Sequence, residues 1–251
     1  DQIAVYGTNI KYSNQLDSIV TIKIDYLKAN TQYYVKPYLY DKKRKEYHFG
    51  DIISFTTLSA DEMAVDMGLS VKWASCDLGA VSANDEGWWF NFASLQPRQI
   101  VGTSFYDEDY LLPAELPEDI SGTAEFDAAT YYLGGKWRMP TVEEYNELIN
   151  NSEIEIKEDV ETELSIKLYR MLTWSKKNGA YLSFNRSKIL RSTDNSITTT
   201  SVIRWLSSCS TITSQGQTIK YPNGFYVYND GYALDCISYL IFGSIRPVCD
   251  Y

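Results

Sequence analysis

The side chains that most often carry out catalysis or hold metals are few in this chain, which has 1 histidine and 4 cysteines among 251 residues. His48 alone cannot form a multi-histidine metal site, and a histidine-dependent triad would have to be built around it. No two cysteines form a C-x-x-C pair, so their spacing does not indicate a zinc site. We therefore predict a protein that is not an enzyme and needs no cofactor.

The cysteines are even in number, and all of them follow residue 58. Four cysteines can pair in three ways, and the spacing alone does not select one. We interpret them as disulfide-bonded rather than as free thiols, which predicts an oxidising compartment.

The acidic side chains suggest two further kinds of chemistry. Asp107-Glu108-Asp109 and Asn229-Asp230 carry oxygen ligands of the type that Ca²⁺ prefers, with solvated loop acids as the alternative interpretation. A pair such as Glu115 and Glu118 could serve glycoside hydrolysis, but nothing distinguishes it among 33 acidic residues. The net charge of −10 argues against a nucleic-acid partner, because phosphate binding depends on basic side chains.

Tyrosine is unusually abundant, with 21 residues, and this favours a β-rich recognition scaffold. One cluster of tyrosines, amides and an acid surrounds Pro222. We predict these side chains as the ligand-contacting set: Tyr221, Asn223, Tyr226, Asn229, Asp230 and Tyr232. Tyr226 and Tyr228 share one strand face, which favours core packing for that pair. The predicted turn positions of Tyr221 and Tyr232 favour ligand contact.

Charge and composition divide the chain into two parts. Residues 1–58 hold 8 basic and 6 acidic side chains, whereas residues 59–251 hold 15 and 27, together with all 6 tryptophans. Such a change in composition indicates a domain boundary. We predict a first module over 1–58, a linker at 59–62 and a second domain over 63–251.

The first module is predicted to consist of strands. Val20-Thr21-Ile22-Lys23-Ile24 alternates with a period of two, and Tyr34–Tyr40 and Phe49–Thr57 are further strands. The spacing from Leu27 to Tyr33 is typical of a tyrosine corner, in which a tyrosine hydroxyl bonds upstream backbone. The runs L-x-x-N-T-x-Y-Y-V and F-G-D-x-I-S-F-T-T resemble the last two strands of fibronectin type III modules of Bacteroidetes surface proteins. The first strands of a fibronectin type III module are missing from this resemblance. The first module is therefore interpreted either as a spacer or as half a β-sandwich packed on its neighbour.

The second domain is predicted to contain two helices followed by strands. Ala124–Leu133 is a short helix ended by Gly134 and Gly135. Thr141 and Glu144 form a capping box that begins a helix ending near Asn151. The segment before these helices, over 81–120, has little periodicity and is predicted to be a long loop.

Several motifs of this second part resemble the Fibrobacter succinogenes major paralogous domain. They are V-D-M-G-L-S-V-K-W-A-S-C, N-D-E-G-W-W-F, D-A-A-T-x-x-L-G-G-K-W-R-M-P-T-x-E-E, R-W-L-S-S-C-S and S-I-R-P-V. The resemblance implies an α+β fold of the C-type-lectin-like class, with a twisted antiparallel sheet, two helices and long loops. It also implies that the first and last strands are neighbours.

Neighbouring terminal strands would allow Cys76 to pair with Cys249, and Cys209 with Cys236. The same superfold includes formylglycine-generating oxidases, but their two copper-binding cysteines lie only a few residues apart, whereas Cys236 and Cys249 are 13 apart. The sugar-binding motifs of lectins are absent except for the last two letters of Tyr228-Asn229-Asp230.

From these observations we predict a secreted or cell-surface bacterial protein, at the outer-membrane surface, that binds a glycan or protein ligand without catalysis. Attachment to the membrane is predicted only through a lipid anchor outside this chain. The alternative is a structural or assembly component of the cell surface with no small ligand. An oxidase or glycosidase is the least favoured interpretation.

Overall fold

The structure, a computed structural model, describes residues 24–251 except 42, 86, 99–106, 162–165, 186, 192–196, 215–216 and 229–230. It divides the chain into two compact units, Asp1–Leu58 and Ser59–Tyr251. The division falls where the charge and the cysteine content change in the sequence.

The first unit contains four short strands in its described part. They are β1 (Gln32–Val35), β2 (Tyr38–Asp41), β3 (Glu46–Phe49) and β4 (Ile53–Thr56), with β1 antiparallel to β4 and β2 antiparallel to β3. The predicted continuous strand Tyr34–Tyr40 is interrupted at Lys36-Pro37, because proline has no N–H to donate to a ladder. Residues 20–23 of the predicted first strand lie outside the described residues.

The tyrosine corner is present as predicted. The Tyr33 hydroxyl accepts a hydrogen bond from the backbone N–H of Lys28 at 2.8 Å. Tyr33 also stacks on Phe55 of the paired strand, with ring centroids 5.9 Å apart. Local spacing in the sequence therefore identified a real tertiary contact.

The second unit begins with a 3-10 helix over Ala60–Met63, where the sequence predicted a linker. Its two α-helices are α1 (Ala128–Leu133) and α2 (Val142–Asn150). Its strands, in chain order, are β5 (Ala64–Val65), β6 (Lys72–Ala74), β7 (Trp137–Arg138), β8 (Ser152–Glu161), β9 (Ile166–Ser175), β10 (Tyr181–Asn185), β11 (Ser187–Arg191), β12 (Ile197–Ser201), β13 (Ile203–Ser214), β14 (Gln217–Tyr228), β15 (Gly231–Cys236) and β16 (Val248–Cys249).

The helices start and stop where their local sequences dictate. Asp127 caps α1 by accepting from the N–H of Thr130, and Gly134 ends it with a φ of 65°, which favours glycine. Thr141 and Glu144 form the predicted capping box at the start of α2. Tyr145 of α2 is fully buried, so this helix packs on the core.

The chain ends of the second unit meet in one four-stranded sheet. Its order is β5-β6-β16-β7, and Val248 of β16 pairs with Trp73 of β6 on one side and with Arg138 of β7 on the other. The expected contact between the first and last strands is therefore confirmed.

The remaining strands form three antiparallel sheets of their own, ordered β10-β9-β8, β11-β12 and β13-β14-β15. Residues 238–242, predicted as a strand, form an irregular segment with a turn at Tyr239 and Leu240. The core between the elements is rich in aromatic rings. Tyr145 contacts Trp73 and Phe225 at centroid distances of 4.7 Å each.

The prediction of an α+β C-type-lectin-like fold is wrong. The described residues form sixteen strands, in six small antiparallel sheets, and only two α-helices. The two helices had strong local signals and were predicted correctly. The region that follows them, Ser152–Cys236, instead folds into long antiparallel hairpins that pair among themselves. Its strands do not join the sheet of the chain ends, so a single twisted sheet with flanking helices does not form.

Candidate functional site

The predicted pairing of Cys76 with Cys249 is not present, and both are buried free thiols. Strands β6 and β16 are neighbours, but their register sets Cys249 opposite Lys72 and not opposite Cys76. Cys76 lies beyond the end of β6, next to Leu78, whose N–H donates to Ile245 O. Cys76 follows Lys72, the partner of Cys249, by four positions, and this offset along the chain is well beyond what a disulfide bridges.

Cys209 and Cys236 are also free thiols in the structure. They lie on the two strands that flank β14, where Cys209 is opposite Pro222 and Cys236 is opposite Asn223. Adjacent residues of a strand project to opposite faces of the sheet. The two cysteines therefore lie on different faces, which prevents the predicted bond.

Along strand β14, buried core side chains alternate with the half-buried Tyr226 and the exposed Tyr228. Phe225 and Val227 are fully buried in the core, whereas Tyr226 and Tyr228 project to the opposite face. Tyr228 is 41% exposed to solvent. We call the surface formed by Tyr226 and Tyr228 the tyrosine shelf.

The rings of the tyrosine shelf lie side by side, with centroids 6.2 Å apart and planes inclined at 50°. Gly231 of β15 is the register partner of Tyr228 and makes room for it. A Cβ at this glycine would lie 2.9 Å from the Cζ and Oη atoms of Tyr228. The absence of a side chain at Gly231 thus lets the ring lie against the backbone.

The other predicted contact residues have different surroundings. Tyr232 packs against the core, 6.1 Å from the Phe225 ring, so it is not the exposed turn residue that was expected. Asn223 is engaged inside the sheet, because it accepts from Ser210 Oγ at 2.8 Å and donates to Ser208 Oγ at 3.0 Å. Tyr221 is a half-buried strand residue, not a turn residue. Asn229 and Asp230 lie outside the described residues.

Two residues of the site were missed from the sequence. The sequence favours core packing for Tyr228, but its alternation with the buried Phe225 and Val227 places it on the other face of the strand. Asp235 of β15 is exposed and opposes Gly224, so it lies on the same face as Tyr226. Only the pairing of β14 with β15 brings Asp235 to the shelf, and no local pattern indicates that pairing.

A polar groove of about 450 Å³ lies in the same unit. Its lining includes the carboxylates of Glu118, Asp119 and Glu143, the Lys220 ammonium and the Cys209 thiol. Burial raises the pKa of Cys209 to about 11, which keeps the sulfur protonated and unreactive. The groove therefore lacks an activated nucleophile at this position.

A buried ionic network stabilises the loop that follows β6. Asp77 is fully buried and accepts from Arg246 Nε at 2.6 Å and from Arg204 Nε at 3.0 Å. The Arg246 guanidinium also lies over the Phe184 ring, 4.4 Å from its centroid. Burial alone would raise the pKa of Asp77, but the two guanidinium groups outweigh it and hold this pKa below its ordinary value.

A second buried carboxylate links the start of α1 to the strand β7. Asp127 accepts from the backbone N–H groups of Gly122, Thr130 and Met139, at 2.8–3.0 Å. Burial raises the pKa of Asp127 even though these hydrogen bonds act in the opposite direction. Both perturbed carboxylates are thus interior supports of the fold.

The structure indicates no metal centre within the ranges that it describes. No group of three or more His, Cys, Asp or Glu side chains converges there as a metal site would require. Asp107, in one of the two runs predicted as calcium ligands, forms an ion pair with Arg98 at 2.7 Å. His48 lies on the exposed strand β3. None of the described helices has the length and apolar content that a membrane crossing requires.

Comparison of the chain with models of protein families, with curated proteins and with solved structures finds no match in any of the three. The resemblance to the Fibrobacter succinogenes major paralogous domain, and that of the first module to fibronectin type III, therefore stay predictions based on sequence motifs.

Proposed function

We propose that the unit Ser59–Tyr251 binds a carbohydrate without catalysis and that the tyrosine shelf is its contact surface. The observation that carries this proposal is the pair of adjacent tyrosine rings on one face of β14, with centroids 6.2 Å apart and with Tyr228 exposed to solvent. Aromatic side chains of this kind offer a large, rigid apolar area with a polar tip at low entropic cost. Such a surface suits a sugar ring, which has C–H faces and a rim of hydroxyls.

The neighbours of the shelf support binding rather than chemistry. Asp235 lies on the same face and its carboxylate accepts hydrogen bonds from hydroxyl groups. Gly231 holds no side chain that would displace Tyr228. In the polar groove, the raised pKa of Cys209 disfavours thiolate catalysis.

The proposal is tested by a glycan array followed by calorimetric titration of the best ligand. Tyr228→Ala is expected to weaken binding about tenfold, which corresponds to about 1.4 kcal/mol. The matched control is Tyr181→Ala, because Tyr181 is 44% exposed but lies on β10. The proposal is wrong if the wild type binds no glycan, or if the two variants lose affinity equally.

A second candidate function, assembly at the cell surface, is favoured by a different observation. Tyr38, Tyr47 and Phe49 of the β2–β3 pair are 59%, 57% and 62% exposed and contact one another at centroid distances of 5.5–6.2 Å. Contiguous exposed apolar surfaces of this kind mark interaction sites.

Sedimentation velocity separates this candidate from the first. Assembly predicts concentration-dependent association that Phe49→Ser reduces and Leu58→Ser does not, since Leu58 is 78% exposed but is not one of the three contacting rings. A monomer at all concentrations contradicts self-assembly.

The location outside the cell is also a proposal. It rests on the sequence resemblance, because the separated cysteines remove disulfide bonding as a second support. Attachment to the membrane would require an anchor outside this chain. Surface labelling of intact cells with an antibody against the protein tests the location directly.

A further inference from the structure

We infer that the tyrosine shelf selects sugars without negative charge, and that Asp235 is the residue that sets this preference. The inference rests on the proposed function and names the class of ligand: neutral or amino-substituted pyranosides, with uronic acids excluded. It follows from which side chains share the face of the sheet with Tyr226 and Tyr228.

Strand register defines that face. Tyr226 is opposite Ala233 on β15 and Ile203 on β13, while Gly224 is opposite Asp235. Paired residues project to the same side of an antiparallel sheet, so the face combines the two tyrosine rings, the aliphatic Ile203 and Ala233, and the carboxylate of Asp235. Trp205, the β13 partner of Gly224, shares this face but is fully buried, so the open part of the face near Gly224 is the β15 side, where Asp235 is exposed. Among these described side chains, Asp235 is the only one that carries a charge.

Asp235 is exposed and available to a ligand on the shelf. Its Oδ1 atom accepts from the backbone N–H of Cys236 at 2.7 Å, which fixes the orientation of the carboxylate. A carboxylate accepts hydrogen bonds from sugar hydroxyls and attracts an ammonium group, but it repels a second carboxylate. The two tyrosine rings also favour a positively charged sugar, because aromatic faces attract cations.

A compensating basic side chain on β14 is too far along the strand to reverse this preference. Lys220 lies in the part of β14 that pairs with Thr211, well before Gly224. Its ammonium group donates to Leu116 O at 3.3 Å and lines the polar groove. At about 3.4 Å per residue, Lys220 lies about 20 Å along β14 from Tyr226, whereas Asp235, opposite Gly224, lies about 7 Å along it. At physiological salt, charges more than about 8 Å away are largely screened, so the carboxylate of Asp235 dominates at the Tyr226 end of the shelf.

The test compares three β-1,4 or α-1,4 linked tetrasaccharides by calorimetry at physiological salt: cellotetraose, fully deacetylated chitotetraose and tetragalacturonate. Wild type is expected to bind the amino sugar about threefold more tightly than the neutral one, and the uronate least. In Asp235→Asn, the amino sugar should lose this advantage and the uronate should gain affinity, while cellotetraose changes little. Glu153→Gln, an exposed acid of β8, removes the same charge elsewhere and serves as the control.

The outcomes separate the inference from the function on which it rests. If the wild type binds the three probes equally, or if Asp235→Asn and Glu153→Gln behave alike, the charge preference is wrong and the binding function stands. If no probe binds, or if Tyr228→Ala leaves binding unchanged, the proposed function is wrong and the inference is wrong with it.

Discussion

Arg246 donates from its Nε atom to Oδ1 of Asp77 across 2.6 Å, and both side chains are only 1% exposed. Arg204 reaches the same carboxylate from β13, so one negative charge lies between two positive ones. Partners in a buried ion pair lose their hydration on folding, and removal of one of them leaves the other without compensation. This arrangement connects the loop after β6, the strand β13 and the segment before β16.

Replacement of the shared carboxylate should therefore be costly. Asp77→Asn is expected to lower the free energy of unfolding by about 3–5 kcal/mol, because two buried guanidinium groups lose their counter-charge. Urea denaturation followed by tryptophan fluorescence measures this. Glu153→Gln, which removes one exposed carboxylate, should stay within about 0.5 kcal/mol of wild type. A loss below about 1 kcal/mol in Asp77→Asn would show that the network is not a main support.

Acid should weaken the same network. Since the pKa of Asp77 is below its ordinary value in the folded protein, the carboxylate stabilises the fold above the unfolded pKa of about 4. That contribution is lost as the pH falls through the folded pKa. The stability difference between wild type and Asp77→Asn should accordingly shrink below about pH 4. Urea midpoints of both proteins between about pH 6 and pH 2 test this, and a constant difference contradicts it.

All four cysteines should react as thiols once the protein is unfolded. Alkylation with iodoacetamide in denaturant, without prior reduction, is expected to add four groups by mass spectrometry. In the folded protein, Cys76, Cys209 and Cys249 should react slowly, because burial raises the pKa of each of these thiols. A reduced sample provides the reference, and two missing labels would indicate a disulfide that the strand register does not allow.

The tyrosine corner should contribute to the stability of the first unit. Tyr33→Phe removes the acceptor of the Lys28 N–H and is expected to cost about 1 kcal/mol. Tyr34→Phe is the control, because Tyr34 is adjacent but 66% exposed. Thermal unfolding followed by circular dichroism compares the two, and equal effects would contradict a structural role for the Tyr33 hydroxyl.

A methyl group at residue 231 should disturb the tyrosine shelf without unfolding the protein. Gly231→Ala places a Cβ 2.9 Å from the outer ring atoms of Tyr228, which must move away. Glycan affinity should fall several-fold while the unfolding midpoint changes little. In a double-mutant cycle, Gly231→Ala should cause no further loss once Tyr228→Ala is present. Additive losses would mean that the glycine acts independently of the ring.

The features that the sequence predicts correctly depend on residues close together in the chain. The capping box of Thr141 and Glu144 and the tyrosine corner at Tyr33 depend on residues a few positions apart, and both were predictable. The exposure of Tyr228 follows from its alternation with Phe225 and Val227, whereas the packing of Tyr232 on Phe225 depends on the pairing of β14 with β15, which no local pattern indicates. Cysteine pairing failed for the same reason, since the register between β6 and β16 fixes the distance between Cys76 and Cys249.

Strands β6 and β16, which come from opposite ends of the second unit's sequence, are neighbours in one sheet. Because the ends of the second unit lie in neighbouring strands, a short linker from Tyr251 to Ser59 would close the unit into a ring. New ends could then be opened in the turn around Gly179, between β9 and β10, without breaking a strand pair. For the same reason the unit is suited to insertion into a loop of another protein. Because its two ends are close together, the insertion would change the distance between the ends of that loop only slightly.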